Sequence, residues 1–160
     1  MKTLKLLLSC LLLTVAVTSH ASEYAVGDNL ATAQFTDQFD SAQSVDNDTH
    51  WLLFTRSMAG AEIAQKALEG ASKTQFVNAK LIYVADVSAM LSLILKFAAM
   101  PKMQDLGYPI ALDKEGDLSK LYPVADDAAA LIDLKQLQVT QIRYFDNSDA
   151  LKQSLASLLK

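Results

Sequence analysis

Thr55-Arg56-Ser57-Met58-Ala59-Gly60-Ala61 follows the apolar run Trp51-Leu52-Leu53-Phe54 and leads into a stretch of helix formers. Such a run reads as a strand buried on both faces, so the residues after it form a strand-to-helix turn. Backbone N–H groups of Ser57 to Gly60 would point outward from the helix N-terminus, with Arg56 beside them. Arg56, Ser57 and Gly60 are therefore a candidate pocket for an anion or anionic ligand. The plainer alternative is a surface arginine next to a helix cap.

Three other constellations invite chemistry. Asp46-x-Asp48-x-His50 places possible metal ligands at alternating positions, which an extended segment would aim to one side. A hard cation needs more oxygens and zinc needs more nitrogen or sulfur, so these residues read as turn formers and no metal is expected. Met100-Pro101-Lys102-Met103, with Met90 nearby, offers thioethers to Cu(I), although methionine more often fills apolar gaps. His50 would have to serve any Ser-His-Asp scheme, and no serine nucleophile elbow accompanies it. Hydrolase chemistry is not expected. Asn47-Asp48-Thr49 is also a formal glycosylation sequon.

The elements that would position these residues follow from patterning. A second buried strand runs Leu81 to Ala85, and Tyr108 to Leu112 is a short third. Helices are expected over Met58 to Glu69, stopped by Gly70, and over Ser88 to Met100, halted by Pro101. Leu118 to Tyr122 reads as one or two helical turns. Ala128 to Leu134 and Leu137 to Phe145 form an antiparallel hairpin about Lys135-Gln136. A last helix, capped by Asn147 or Ser148, puts Leu151, Leu155, Leu158 and Leu159 on one face. This order demands an α/β fold with a mixed sheet and helices on both faces.

The first residues follow the plan of an export signal. Lys2 and Lys5 precede an apolar stretch from Leu6 to Val17, and Ser19-His20-Ala21 puts small residues where a signal peptidase cuts. Cleavage after Ala21 is expected; the alternative is a lipoprotein acylated at Cys10. Residues 1–21 are then a leader, and 22–48 an N-terminal arm with one or two short edge strands anchored by Leu30, Phe35, Phe39 and Val45. Residues 49–160 form the main domain. Processing leaves 139 of 160 residues, with 12 basic against 18 acidic side chains, a formal charge of −6, His50 and no cysteine. With no basic cluster, neither nucleic acid nor an anionic membrane surface is an expected partner. A periplasmic or secreted product would be stabilised by packing rather than by disulfides.

Several of these pieces resemble the thioredoxin-like superfamily, in particular the branch of peroxiredoxins and exported thioredoxin-like reductases. They are the arm with Val26-Gly27-Asp28 and Thr36-Asp37-Gln38, the strand Trp51 to Thr55, the segment Tyr108 to Asp113 with Leu118 to Tyr122, and the closing hairpin and helix. The resemblance implies a thiolate at the helix N-terminus after the first central strand. Met58 and Ala61 occupy the positions of a Cys-x-x-Cys pair, and neither carries a thiol. The cis-proline implied before the strand at Ala128 is replaced by Asp126-Asp127-Ala128. Thiol reductase, isomerase and peroxidase activities are therefore not expected. A likeness to small exported proteins labelled flavin-containing dehydrogenases would imply a flavin, but no Gly-x-Gly-x-x-Gly turn is present, and no cofactor is expected.

The segment Ala89 to Met100 stands apart. Met90, Leu91, Leu93, Ile94, Leu95, Phe97 and Met100 surround it, and among its larger residues only Ser92 and Lys96 are polar. A helix lying on one sheet face would show a polar side, so something must cover its outer surface. The cover is either the N-terminal arm or another molecule, as a homo-oligomer or a protein partner. Met90, Leu91, Ile94, Leu95 and Phe97 form the expected contact surface. The function that follows is that of an exported, non-catalytic thioredoxin-fold protein acting by contact. A small-ligand binder using Arg56 to Gly60 is the alternative, and a copper-handling protein a third.

Overall fold

The computed structural model describes residues 22–160; the expectations for the leader, cleavage after Ala21 and acylation at Cys10 lie outside them. Seven strands form one mixed sheet in the order β2-β1-β5-β4-β3-β6-β7. They are β1 (Ala33–Thr36), β2 (Ala42–Val45), β3 (Trp51–Thr55), β4 (Leu81–Asp86), β5 (Ala111–Asp113), β6 (Ala129–Lys135) and β7 (Gln138–Phe145). The centre, β3 with β4 and β4 with β5, is parallel, and both flanks are antiparallel. Parallel central strands need both faces covered, which is why Leu52, Leu53 and Phe54 are all buried.

The two faces are covered differently. Leu53, Tyr83 and Leu131 point into one core with residues of α1 (Met58–Ala67), α2 (Lys73–Ala79) and α5 (Ser148–Ala156). Leu52, Phe54, Val84 and Ile132 point the other way, into a core closed by Leu30, Tyr122, Leu137 and Val139. The helices gather on the first face. On the second, where the element order called for helical cover, residues 118–122 form a turn, with Tyr122 N–H donating to Ser119 O over 2.9 Å. Asp113 holds this turn, its Oδ2 accepting from the N–H and hydroxyl of Ser119 at 2.7 and 2.8 Å. Side-chain bonding there replaces a helix.

Other departures from expectation have physical causes. The helix α2 was not foreseen; a reciprocal capping box between Ser72 and Gln75 starts it, and Phe76 anchors it. Tyr108 and Ile110 lie outside β5 because Gln38 holds their backbone: its side chain donates to Tyr108 O at 2.8 Å and accepts from Ile110 N–H at 2.8 Å. Phe39 is half exposed rather than an anchor, since Asp37 Oδ1 accepts from the N–H of Phe39 and of Ser41 and turns the chain there. The β6–β7 turn is Gln136-Leu137, both left-handed, and burial of Leu137 compensates that backbone.

The helical run after β4 also differs. It comprises α3 (Ser92–Ile94), a π-helical turn (Leu95–Ala99) and α4 (Met100–Gln104). Pro101 does not halt it. The π turn just ahead, closed by Met100 N–H donating to Leu95 O, widens the backbone where a proline ring would otherwise clash.

Candidate functional site

The sequence placed its candidates at two points, the β3–α1 corner and the run after β4, and the structure treats them oppositely. At the corner, Ser57 caps α1, its hydroxyl accepting from Gly60 N–H at 3.0 Å. Gly60 is buried against the backbone of Ala128, and a Cβ there would collide with that carbonyl. This is the approach between helix start and the segment before β6 that the resemblance expected a dithiol and a proline to fill. Met58 projects into solvent, 71% exposed, and Ala61 is partly buried one turn on. Neither position carries a thiol, and the chain's one cysteine is Cys10.

Arg56 is engaged inside the protein. Its Nε donates to Asp86 Oδ2 at 3.1 Å and its guanidinium donates to Ser119 O at 3.0 Å. It lies 5.3 Å from the Phe54 ring centroid and 3.9 Å from Glu23. Asp86, almost wholly buried, also accepts from Ser88 N–H and hydroxyl. Arg56 thus ties the ends of β3 and β4 to the turn at 118–122. An anion at the α1 terminus would have to draw it from these partners. Asp86 and Asp113 are register partners at the ends of β4 and β5, and sequence reasoning missed both. The available signal was an aspartate directly ending an apolar strand. Behind the corner, Tyr83 O–H and Thr55 Oγ1 lie 3.0 Å apart in the core, and burial pushes the Tyr83 phenol up to about 12.

The run after β4 is open. Leu91, Leu93, Ile94 and Phe97 are 70, 68, 50 and 69% exposed, and Met90 is partly buried beside them. Leu95, expected on this surface, instead packs inward with Met100, Met103 and Leu106. The five-residue repeat of the π turn lets both Leu95 and Met100 face the core, and Leu93 takes the outer position. The lower end is anchored, since Gln38 donates to Met103 O at 3.1 Å and Gln104 donates to Gln38 O at 2.9 Å. The upper end starts at Leu91 with no side-chain cap.

The remaining candidates are not brought together. Asp46 accepts from Asp48 N–H at 2.9 Å and bonds Thr49, shaping the turn before β3. Among the described residues no group of three histidine, cysteine or acidic side chains is clustered to hold a metal. No helix among them is long and apolar enough to cross a membrane.

No protein-family model and no curated protein sequence matches the chain. Solved structures do. The thioredoxin domain of a thiol-disulfide oxidoreductase from Bacteroides vulgatus aligns at TM-score 0.55 and 14% identity, over 86% of this chain and 100% of that one. The exposed lipoprotein thioredoxin of Streptococcus pneumoniae aligns at 0.52 and 17%, over 79% and 99%. A peroxidoxin from Mycobacterium tuberculosis aligns at 0.51 and 14%, over 84% and 95%. At such identities the likeness speaks for the fold, and that fold is a thioredoxin-like α/β sheet without a Cys-x-x-Cys pair.

Proposed function

We propose that this chain is an exported thioredoxin-fold protein without thiol chemistry, and that it acts by contact through Leu91, Leu93, Ile94 and Phe97. The observation that carries the reading is the exposure of four large apolar side chains within seven residues, on a domain whose other large apolar residues mostly reach the core. Export is supported by Lys2, Lys5, the apolar stretch to Val17 and Ser19-His20-Ala21, and one structural neighbour is itself described as an exposed lipoprotein. Thiol inactivity is supported by Met58 and Ala61 where a dithiol would stand, and by Cys10 lying in the leader.

The test combines light scattering with substitution. Leu91→Asp and Phe97→Asp should reduce self-association or partner capture while both variants keep a cooperative melt. Loss of the melt in both, with a wild-type monomer at all concentrations, would defeat the contact reading. The processed protein should begin at Ser22 by intact mass and should fail to reduce insulin disulfides; a thiol-dependent activity above control would refute that part.

A further inference from the structure

We propose that residues 89–102 form a strap that opens as one unit, fastened at its start by Asp86 and Asp113 and at its end by Gln38. From Ser88 to Gly107 no residue is buried, the longest such stretch among the described residues. Leu95, Met100, Met103 and Leu106 pack against the core from this stretch, each only partly covered. The helix α3, the π turn and α4 lie close to one another but not, along their length, to any strand or to α1, α2 or α5. A segment held by a few apolar side chains, with little backbone apposition, is one that opens locally before the fold does.

The fastenings sit at the two ends. At the start, Val87 N–H donates to Asp113 O at 2.9 Å, and Asp86 Oδ1 accepts from the N–H and hydroxyl of Ser88 at 3.0 and 2.7 Å. At the end, the buried Gln38 side chain donates to Met103 O at 3.1 Å and to Tyr108 O at 2.8 Å, and accepts from Ile110 N–H at 2.8 Å. Its backbone carbonyl takes the Gln104 side chain at 2.9 Å. Between these points Met90 N–H donates to Val87 O, and no other hydrogen bond or ion pair joins residues 89–102 to the rest of the described chain.

The backbone within the strap is weak as well. The π turn interrupts the α-helical ladder, Pro101 contributes no backbone donor, and Leu91 starts the run without a side-chain cap. Opening releases Leu95 and Met100 together, because the five-residue repeat sets both on the inner side. The apolar surface then has two sizes. Closed, the strap presents Leu91, Leu93, Ile94 and Phe97; open, it adds Leu95 and Met100. Gln38, reaching in from the arm, sets the balance between the two states. The use of the larger surface rests on the contact reading, whereas the opening itself does not.

Hydrogen exchange read by mass spectrometry tests this on the full chain at low protein concentration. The hydrogen-bonded amides between Leu95 and Lys102 should exchange together, at least about a hundredfold faster than those of β3, β4 and β6 after correction for intrinsic rates. Low urea should barely change the strap's rate, because its opening exposes little surface. Gln104→Ala, made at an exposed side chain, should speed the strap about threefold and leave the strands unchanged. Strap amides as slow as the strands overturn the proposal, and so does a rate graded along the run from Leu91 as in simple fraying. A Gln104→Ala effect that is absent, or spread over the whole chain, overturns it too. The contact reading is judged apart from this, by self-association of Leu91→Asp and Phe97→Asp, so either can fail while the other stands.

Discussion

The β3–α1 corner and the helical run after β4 lie at the same end of the sheet and meet opposite conditions. At the corner the polar groups have partners: Ser57 caps its helix, Arg56 bridges Asp86 and Ser119, and Thr55 bonds Tyr83. A ligand there could engage Arg56 or the Ser57 hydroxyl only by drawing them from existing bonds, so those two side chains add little net gain. At the upper end of the run, large apolar side chains have no cover. Removing one such Leu or Phe from water is worth roughly 1.5–3 kcal/mol, available to whatever docks. The corner where this fold commonly places chemistry is closed in this chain. The proposed recognition surface is the flank beside it.

If the corner is structural, breaking it should cost stability. The largest effect is expected at Gly60, whose added Cβ would strike the Ala128 carbonyl, a backbone atom that cannot rotate away. Gly60→Ala should lose roughly 3 kcal/mol by denaturant titration, despite the better helix propensity of alanine. A neutral result would mean that the α1 start and the segment before β6 are not tightly apposed. Arg56→Ala comes next. It removes the cation beside the buried carboxylate of Asp86, leaving Ser88 as its partner, and one of the ties on the turn at 118–122, but Arg56 is itself about a third exposed, so solvent screening limits the loss to about 1–2 kcal/mol. Lysine should not rescue it, because one ammonium cannot reach both Asp86 and the Ser119 carbonyl in fork geometry.

The corner was partly legible in the sequence. The apolar run Trp51 to Phe54 followed by a serine and a glycine located the strand, the cap and the turn. What could not be read was which groups Arg56 meets, because Asp86 and Ser119 are 30 and 63 residues away along the chain. The run after β4 was legible as apolar excess, since periodicity without a polar side shows in composition. Which residues face out was not, because the expected rows assumed an α-helix; the π turn sends Leu95 inward and leaves Leu93 outside. The helix α2 could have been found from Ser72-x-x-Gln75, but its weak apolar periodicity hid it. The arm's Gln38 was legible only within Thr36-Asp37-Gln38 as part of the resemblance; its burial and its bonds to Met103, Tyr108 and Ile110 were not.

Alkaline pH gives a graded test of the core behind the corner. Burial raises the Tyr83 phenol from 10.0 to about 12, against the hydrogen bond from Thr55 that lowers it, and burial also pushes Tyr108 and Tyr122 up. The folded state favours the neutral phenol, so the unfolded chain releases its protons first. The stability contribution is therefore intact below about pH 10 and lost as pH rises toward 12. Midpoints of urea unfolding should fall through that window. Tyr83→Phe should lower stability by about 1 kcal/mol at neutral pH, through the lost bond to Thr55, yet show a shallower alkaline decline. An equally steep decline in the variant would remove Tyr83 as a source.

The smallest stability effect is expected on the other side of the comparison. Leu93 and Phe97 are 68 and 69% exposed, so replacing both with serine removes little area from the core and leaves no buried polar group. The double variant should melt within about 0.5 kcal/mol of wild type. A modest rise is equally consistent with an exposed face, since serine is better solvated there than leucine or phenylalanine. Leu95→Ala is the control on the same turn: it packs inward with Met100 and Met103, and its truncation should cost about 2 kcal/mol. The decisive quantity is the contrast between neighbours two residues apart. A large loss at Leu93 and Phe97 with none at Leu95 would reverse the orientation of the π turn and place the apolar face in the core. The expected order leaves Leu95 as packing and its neighbours as a surface available for docking.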